Sequence, residues 1–448
     1  MSGPVRSDNT VLGPRRQPRH VMRRPKPTAP VRSKSPRTKF TGTYAVSTRH
    51  TSLVLLTGVL LVGCEDVDPE VGGDVLRRDS AGVAISEAQG PIWSEPARWS
   101  VSGDPTLEIG ELEGSPEYLF SRIRGVVGLA DGTLVVSDGG TSTLRWYDDA
   151  GSYLFERGGD GEGPGEFKWV GPIVRSVGDT LVVTDLSLRR ISEFSSTGDL
   201  VRTVPVEGVT VPGEAHRLSD GSFLVGSSGF SSTQLTGEEE GLGRAAEPIV
   251  RIGTALEAPD TIGTFPGPEM YFSGRGFGFH PFSRSFYYAT KGDLLFVAAA
   301  EGFVVDAFAP DGQQVRSIRA PDVDLRLTPE LIDSYKRRVR DAADQQPPAR
   351  AERSLQELED MFFPDMRPAY ARLVAGDDAL WLEEHAAGPS TGPRRWAVFG
   401  HDGDFRGIAE LPAGFRLSDV RGDQLFGTWT DELGVEYVRV HRLEPTAR

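Results

Sequence analysis

Six copies of one short segment constrain the fold of this chain more than any other feature of its sequence. Each copy is an apolar run that follows a turn containing Gly or Asp. The copies are ADGTLVVSD (130–138), VGDTLVVTD (177–185), SDGSFLVGS (219–227), KGDLLFVAA (291–299), GDDALWLEE (376–384) and RGDQLFGTW (421–429). Their matched apolar positions are 47, 42, 72, 85 and 45 residues apart. Three spacings therefore approximate one module of about 45 residues, and two contain insertions.

Each uninterrupted module contains four short strands. In the first module these are RGVVGLA, TLVVSD, TLRWYDD and SYLFERG, joined by Gly- and Asp-containing turns. Four antiparallel strands per module describe a propeller blade, and radial repetition shields the strand edges. A helical solenoid is excluded because the chain has 53 glycines and no repeating helical periodicity. The predicted fold is an all-β, six-bladed β-propeller with a helical-hairpin insertion before blade five.

The last module shows only three strands. Two further strands, GVAIS (82–86) and RWSVS (98–102), precede the first module. We therefore predict that an N-terminal strand completes the sixth blade and closes the ring.

An apolar run of eleven residues, LVLLTGVLLVG (53–63), follows Arg49 and His50. It is shorter than the roughly 20 residues that a membrane-spanning helix needs, and it has the proportions of a signal peptide. The LVGC sequence at its end resembles the lipobox of bacterial lipoproteins. That resemblance implies that Cys64, the one cysteine of the chain, receives a diacylglycerol group and becomes the mature N terminus. A buried apolar segment with an incidental cysteine is the alternative.

These features predict three parts of the chain. Residues 1–63 form a basic region and signal peptide, residues 64–78 a lipidated flexible tether, and residues 79–448 the propeller. Residues 1–50 contain twelve Lys and Arg against one acid, whereas residues 65–448 have a net charge of −26. Such an acidic body repels phosphate backbones, so no nucleic-acid partner is expected. Translation from near Val46 would give a signal peptide of ordinary length.

Lipidation predicts the location of the protein. Two or more acyl chains on Cys64 would attach it firmly to a membrane, which is the one partner predicted directly. The expected location is the cell envelope, and Glu65 after the cysteine favours sorting to the outer membrane.

Residues 80–445 resemble the six-bladed, NHL-like propeller lipoproteins of bacteria. The resemblance is carried by RGGDGEGPGEF (157–167), by the VVSD and VVTD strand ends, by STGDL (196–200) and by the insertion before blade five. It implies the fold but no particular activity. The GEGPGEF segment lacks a Walker lysine and the spacing of a calcium loop, so we expect a turn in which Glu166 caps backbone amides.

Three insertions, 228–247, 264–284 and 321–367, are predicted to lie on one face of the disc, which we call the top face. Long loops in a compact domain are usually functional. In the third insertion, Thr328 and Pro329 predict a helix start. Apolar residues then recur at helical spacing, which predicts a helical hairpin packed on the disc: Leu331, Ile332, Tyr335, Val339, Leu355, Leu358, Met361 and Phe362.

The second insertion is rich in aromatic residues with polar neighbours, which suit stacking on a sugar or gripping a peptide. The predicted ligand-binding residues are Tyr271, Phe272, Arg275, Phe277, Phe279 and His280. The alternative is that most of these aromatic residues plug the channel mouth or belong to the core of blade four.

Signals for catalysis are weak. The seven histidines show no HExxH or Cys-His spacing, and no nucleophile elbow is present. Asp138, Asp185 and Glu384 occupy equivalent strand ends and would hold a calcium ion if the chain were a lactonase-like enzyme. The leading hypothesis is a non-catalytic binding or assembly module without a cofactor, which engages a peptide, a glycan or an envelope protein. The alternative is a metal-dependent hydrolase or lyase of the lactonase or amidating-lyase type.

Overall fold

A computed structural model describes residues 75–90, 92–101, 103–209, 211–227, 240–254, 258–279, 281–321, 323–386 and 392–446. These residues belong to one compact unit, Asp66–Arg448. The predicted signal peptide, Cys64 and His280 lie outside the described residues. No helix within them is long and apolar enough to cross a membrane.

Four strands precede the first repeat. They are β1 (Val75–Ser80), β2 (Val83–Ala88), β3 (Ala97–Val101) and β4 (Leu107–Ile109). Because β1 begins at Val75, residues 75–78 are part of a strand and not of the tether that the sequence predicted.

Five groups of four antiparallel strands and a last group of three follow one another along the rest of the chain, and we number these groups as blades in chain order. Blade one contains β5 (Ile123–Gly128), β6 (Leu134–Asp138), β7 (Thr143–Tyr147) and β8 (Tyr153–Gly158). Blade two contains β9 (Val170–Arg175), β10 (Leu181–Asp185), β11 (Arg190–Phe194) and β12 (Leu200–Pro205). Blade three contains β13 (Pro212–Arg217), β14 (Phe223–Ser227), β15 (Gly241–Ile252) and β16 (Asp260–Ser273), with β17 (Gly276–Gly278) paired to β16.

The later blades are separated by the helices. Blade four contains β18 (Tyr287–Lys291), β19 (Leu294–Ala298), β20 (Val304–Phe308) and β21 (Gln314–Arg319), and it is followed by α1 (Pro329–Ala343) and α2 (Pro348–Asp360). Blade five contains β22 (Tyr370–Ala375), β23 (Ala379–Glu384), β24 (Arg394–Gly400) and β25 (Phe405–Leu411). Blade six contains β26 (Arg416–Arg421), β27 (Gln424–Thr430) and β28 (Glu436–Pro445), completed by β4. The predicted all-β propeller and its helical hairpin are therefore confirmed.

The apolar core is divided into six clusters, each shared by two neighbouring blades. One cluster joins blade one to blade two through Val127 and Ile173, and another joins blade six to blade one through Phe426 and Val126. Fully burying one such side chain contributes about 1.5–3 kcal/mol to stability. Each blade therefore depends on both of its neighbours, as in a closed ring.

Hydrogen bonds join neighbouring blades at the face opposite to the long loops, which we call the bottom face. They form an unbroken belt, in which every blade is bonded to the next. The six bonds are Ala130 N to Asp179 (2.6 Å), Ser176 Oγ to Arg217 O (3.1 Å), Ser219 N to Asp293 (2.7 Å), Lys291 Nζ to Asp377 (3.2 Å), Asp377 N to Val420 O (3.2 Å) and Gly128 N to Asp419 (3.3 Å).

An N-terminal strand does close the ring, but it is not one of the two that the sequence suggested. The closing strand is β4, in which Ile109 pairs with Val438 of β28. The GVAIS segment pairs instead with β1 and, in parallel, with the outer strand of blade four, where Ala84 lies opposite Arg316. Residues 99–101 of the RWSVS segment lie between blades five and six, where they pair with β25 and with the end of β28. Three residues are too few for the two-residue alternation of β4 to be recognised in the sequence.

Candidate functional site

The top face carries an arm that extends from blade three. Its strands β15 and β16 have 12 and 14 residues, whereas the other strands of this blade's four-stranded core have five or six. Pairing continues from Arg251 opposite Asp260 to Gly241 opposite Phe272. Residues 241–247 of the first predicted insertion and residues 264–273 of the second are therefore not insertions but parts of strands β15 and β16. The sequence did not predict this part of β16 because it contains Pro266 and Gly267, and both residue types are rare inside regular sheets.

The arm lies over blade four and contacts the helical hairpin. Arg244 donates hydrogen bonds to the carbonyl oxygens of Gly267 (2.6 Å) and Ala299 (3.0 Å) and pairs with Glu301 at 3.1 Å. At the tip of the arm, Arg275 pairs with Asp360 of α2 at 2.8 Å. The arm and the hairpin thus support each other above blades four and five.

The predicted aromatic residues are divided between the interior and the surface. Tyr271 and Phe272 are buried, with exposed fractions of 7% and 8%, whereas Phe277 and Phe279 are 51% and 52% exposed. Phe277 and Phe279 are the members of this set that an incoming molecule can reach.

The helical hairpin packs on the disc through part of its predicted apolar face. Phe282 is fully buried, and the centroid of its ring lies 5.8 Å from that of Tyr335. Leu358 is buried, whereas Leu355 and Phe362 remain more than a third exposed. Helix α1 starts after Thr328 as predicted, although the Thr328 side chain makes no capping bond to the backbone.

Two of the three predicted metal ligands, Asp185 and Asp138, already accept hydrogen bonds from backbone amides of the loops around them. One oxygen of Asp185 accepts the amides of Ser187 and Leu188, each at 2.9 Å, and the other accepts that of Lys168 at 2.8 Å. Asp138 accepts the amide of Gly140 at 2.8 Å in the same way. These carboxylates tie together the two top loops of their blades.

Asp138, Asp185 and Glu384 are not brought together. Across the described ranges, no group of three His, Cys, Asp or Glu residues is arranged to hold a metal ion. The GEGPGEF segment forms the expected turn, in which Glu166 accepts the amide of Gly163 at 2.8 Å.

Glu384 lies instead in a cavity of about 360 Å³ beside α1. The cavity is lined by Leu331, Arg367, Glu384, His385, Ala386, Pro393, Arg394 and Arg395. Burial raises the pKa of Glu384, although Arg395 partly opposes this effect. Burial lowers the pKa of His385, which keeps this histidine neutral at pH 7. Although Arg394 is also paired with Glu383 at 2.7 Å, the three guanidinium groups outnumber the two carboxylates, so the lining is positive, and we call this cavity the basic cavity.

A second cavity of about 530 Å³ separates the arm from the segment that follows α2. Its charged lining residues are Arg244, Glu269, Arg284 and Asp365, two of each sign. Arg284 forms an ion pair with Glu269, which is almost completely buried. The balance of charge makes this cavity a weaker candidate for an ionic ligand than the basic cavity.

Charged residues near the axis of the ring were not predicted. Glu214, Arg372 and Arg416 belong to the first strands of blades three, five and six. Burial raises the pKa of Glu214, although 46% of its side chain remains accessible. Arg416 and Arg372 partly counteract that rise. No spacing pattern indicated them, because the three residues are far apart along the chain.

His216 lies beside Glu214, with its Nε2 atom 3.9 Å from a carboxylate oxygen. Burial lowers the pKa of His216 to about 4, so the ring is neutral at pH 7 and the two do not form an ion pair. The hydroxyl of Tyr288 donates a hydrogen bond to the carbonyl oxygen of Glu214 at 2.6 Å and holds this strand against blade four.

Comparison with known proteins identifies no family for this chain. No family model matches the chain, and no curated protein matches it either. Among solved structures, it is similar to a Bacteroides fragilis protein described as exported, at 10% identity and a TM-score of 0.46, covering 81% of this chain and 100% of that one. A member of the DUF4221 family from Bacteroides vulgatus matches at 8% identity and a TM-score of 0.46, covering 78% and 99%.

A gluconolactonase from Xanthomonas campestris also matches, at 14% identity and a TM-score of 0.38, covering 78% of this chain and 99% of that one. These structures are β-propellers. At such low identity they say nothing of what this chain binds.

Proposed function

We propose that this chain is a six-bladed, NHL-like propeller lipoprotein of the cell envelope, anchored in the outer membrane through Cys64. In this proposal it is a binding or assembly module that engages a peptide, a glycan or an envelope protein with the top face of blades three to five. The observation that carries the proposal is the pairing of the arm with the helical hairpin beside the basic cavity.

The distribution of loop lengths supports a working top face. The turns between the first and second strands of the blades, which lie on the bottom face, contain two to five residues. The top face holds the arm, with Phe277 and Phe279 half exposed at its tip, and both helices. Exposed aromatic side chains are typical of surfaces that bind peptides or sugars.

The charge of the basic cavity favours an acidic ligand group. The body of the protein has a net charge of −26, so a basic cavity on it is locally distinct. Arg367, Arg394 and Arg395 would attract a carboxylate or sulfate group while the rest of the surface repels it. The favoured partner is therefore a peptide, glycan or envelope protein with an acidic group close to an apolar contact.

No observation favours the metal-dependent hydrolase or lyase as a second function. The carboxylates of Asp138 and Asp185 already accept backbone amides, and a calcium ion would have to compete with those bonds.

Site-specific photo-crosslinking in native membranes tests the proposal. A photoreactive residue at Phe279 should capture a partner, whereas one at Val177, which is 60% exposed on the bottom face, should not. Capture at Phe279 should fall when Arg394 and Arg395 are both replaced by Gln. Equal capture at both positions, or none at Phe279, would contradict a binding site on the top face.

A further inference from the structure

The axis of the ring is closed at the bottom by one arginine. Arg175, at the end of β9 in blade two, donates to Asp419 of blade six at 3.0 and 3.1 Å and to Asp377 of blade five at 3.0 Å. Blades two and five are opposite each other in a ring of six, so a side chain that joins them must cross the axis. Lys291 of blade four also donates to Asp377, at 3.2 Å. The axial space therefore has a floor made of ion pairs.

Charged groups surround the axis above that floor. Glu214 is the third residue of its strand, and Arg416 is the first residue of its own, while Arg175 ends a six-residue strand that runs in the same direction. At about 3.3 Å per residue, roughly 10 Å separates the level of Glu214 from the floor. We call this space, bounded by Glu214, Arg372, Arg416 and Arg175, the axial pocket.

The arginines of the axial pocket carry positive charge that the described residues do not fully neutralise. Arg416 is exposed and has no ion-pair partner in the described part of the chain. Arg372 approaches Glu383 at 3.5 Å, but Glu383 is already paired with Arg394 at 2.7 Å. Burial, and then repulsion by Arg416, lower the pKa of Arg372. An anion between Arg372 and Arg416 would relieve that repulsion.

Glu214 restricts which anions fit. It belongs to blade three, opposite blade six and Arg416, and a second negative charge on the ligand would be repelled by it. A cationic or hydrogen-bond-donating group on the ligand would be attracted. The pocket thus presents two guanidinium groups on one side and a carboxylate on the other.

We propose that the axial pocket binds a small zwitterion, with its carboxylate at Arg372 and Arg416 and its ammonium group at Glu214. This site is separate from the surface of the arm and does not depend on the function proposed above. Short unblocked peptides and amino acids are the class of ligand that the charges favour.

Calorimetric titration of the full chain in detergent tests this proposal, with alanyl-alanine as the probe. Two blocked forms serve as comparisons: alanyl-alanine amide lacks the carboxylate, and N-acetyl-alanyl-alanine lacks the ammonium group. We expect alanyl-alanine to bind and each blocked form to bind about tenfold or more weakly, because each loses a charged hydrogen bond.

Two variants test which side chain binds each end of the probe. Arg416→Ala should weaken the binding of alanyl-alanine about tenfold and bring its affinity close to that of alanyl-alanine amide. Glu214→Gln should bind alanyl-alanine no better than N-acetyl-alanyl-alanine, while it should still bind alanyl-alanine better than alanyl-alanine amide. Arg442→Ala, which removes an exposed arginine paired with Asp423 on the same blade, is the matched control and should change nothing.

Three outcomes would overturn the proposal. They are no binding of alanyl-alanine, equal binding of the free and blocked forms, or an equal effect of Arg416→Ala and Arg442→Ala. Thermal unfolding of each variant shows whether it is folded. A failure here leaves the crosslinking result at Phe279 unaffected, so the two proposals can fail separately.

Discussion

Replacing Arg175 with Ala tests whether the ring is held together across its axis. The Arg175 side chain is 12% exposed, and its partners Asp419 and Asp377 are 9% and 27% exposed. Removing one member of a buried ion pair costs about 3–5 kcal/mol, because the remaining charge stays buried. Asp377 keeps Lys291, and Asp419 keeps the amides of Gly128 and Val420. We therefore expect the free energy of unfolding to fall by an amount near the lower limit of this range, about 3 kcal/mol.

Thermal unfolding followed by circular dichroism measures this loss. For a domain of this size, roughly 1–2 °C is lost per kcal/mol, so Tm should fall by about 3–6 °C. Arg442→Ala removes an exposed pair in which both side chains are more than half exposed, and its Tm should change by less than about 1 °C. If Arg175→Ala unfolds within 1 °C of the unmodified protein, the bridge does not stabilise the ring and our reasoning is wrong.

The pH dependence of the same variant gives a second check. Burial is the largest single effect on Asp377 and would raise its pKa, but the charges and hydrogen bonds of Arg175 and Lys291 together outweigh burial and lower the pKa. A carboxyl group with a lowered pKa in the folded state stabilises the protein above its unfolded pKa of about 3.9. That contribution is lost as the pH falls through the folded pKa. The difference in Tm between the two proteins should therefore be full at pH 7 and narrow below about pH 4.

Three further outcomes are expected from the described contacts and the predicted lipidation. Cys64→Ser should abolish incorporation of radiolabelled palmitate, and retained label would contradict lipidation at this residue. Asp185→Ala leaves loop amides without an acceptor, so thermal unfolding should show a loss of about 1–3 kcal/mol; a large rise in the Tm of the unmodified protein with calcium would instead favour a metal site. Arg275→Ala removes an exposed pair with Asp360 and should cost less than about 1 kcal/mol, yet hydrogen exchange at the tip of the arm should become faster. Unchanged exchange would show that this pair does not hold the arm.

The repeated strands could be predicted because their signal is local. The second strand of each blade is an apolar run preceded by a turn, and all six runs form that strand: β6, β10, β14, β19, β23 and β27. The helix start at Pro329 is equally local. In these elements, propensity, turn residues and burial all favour the same structure.

The arm and the closing strand could not be predicted for a different reason. Their structure depends on pairing partners that are distant in sequence or poor in strand-forming residues. β4 has three residues and gains its place only by pairing with β28, more than 300 residues later. The arm contains Pro and Gly, and its pairing is irregular between Arg244 and Ala246. Local propensity is a weak guide where such tertiary pairing decides.

The axial charges were missed because a one-residue change in register reverses the direction of a strand's side chains. The pairing of β13 shifts between Pro212 and Ala215, and that of β22 shifts between Tyr370 and Arg372. Such irregularities can direct a polar side chain towards the axis instead of into a core between blades. No pattern in PGEAHR or YARLVA indicates where these shifts occur.

The belt on the bottom face and the insertions on the top face are consequences of the same ring. Closing six blades requires neighbours to be bonded to each other, and short turns such as the one containing Asp377 provide those bonds with little loss of chain entropy. The bottom turns are therefore needed to keep the ring stable. Insertions such as the arm and the helical hairpin are tolerated only on the other face, where no belt would be broken. The same division leaves the axial pocket closed below by Arg175 and able to admit a ligand only from above.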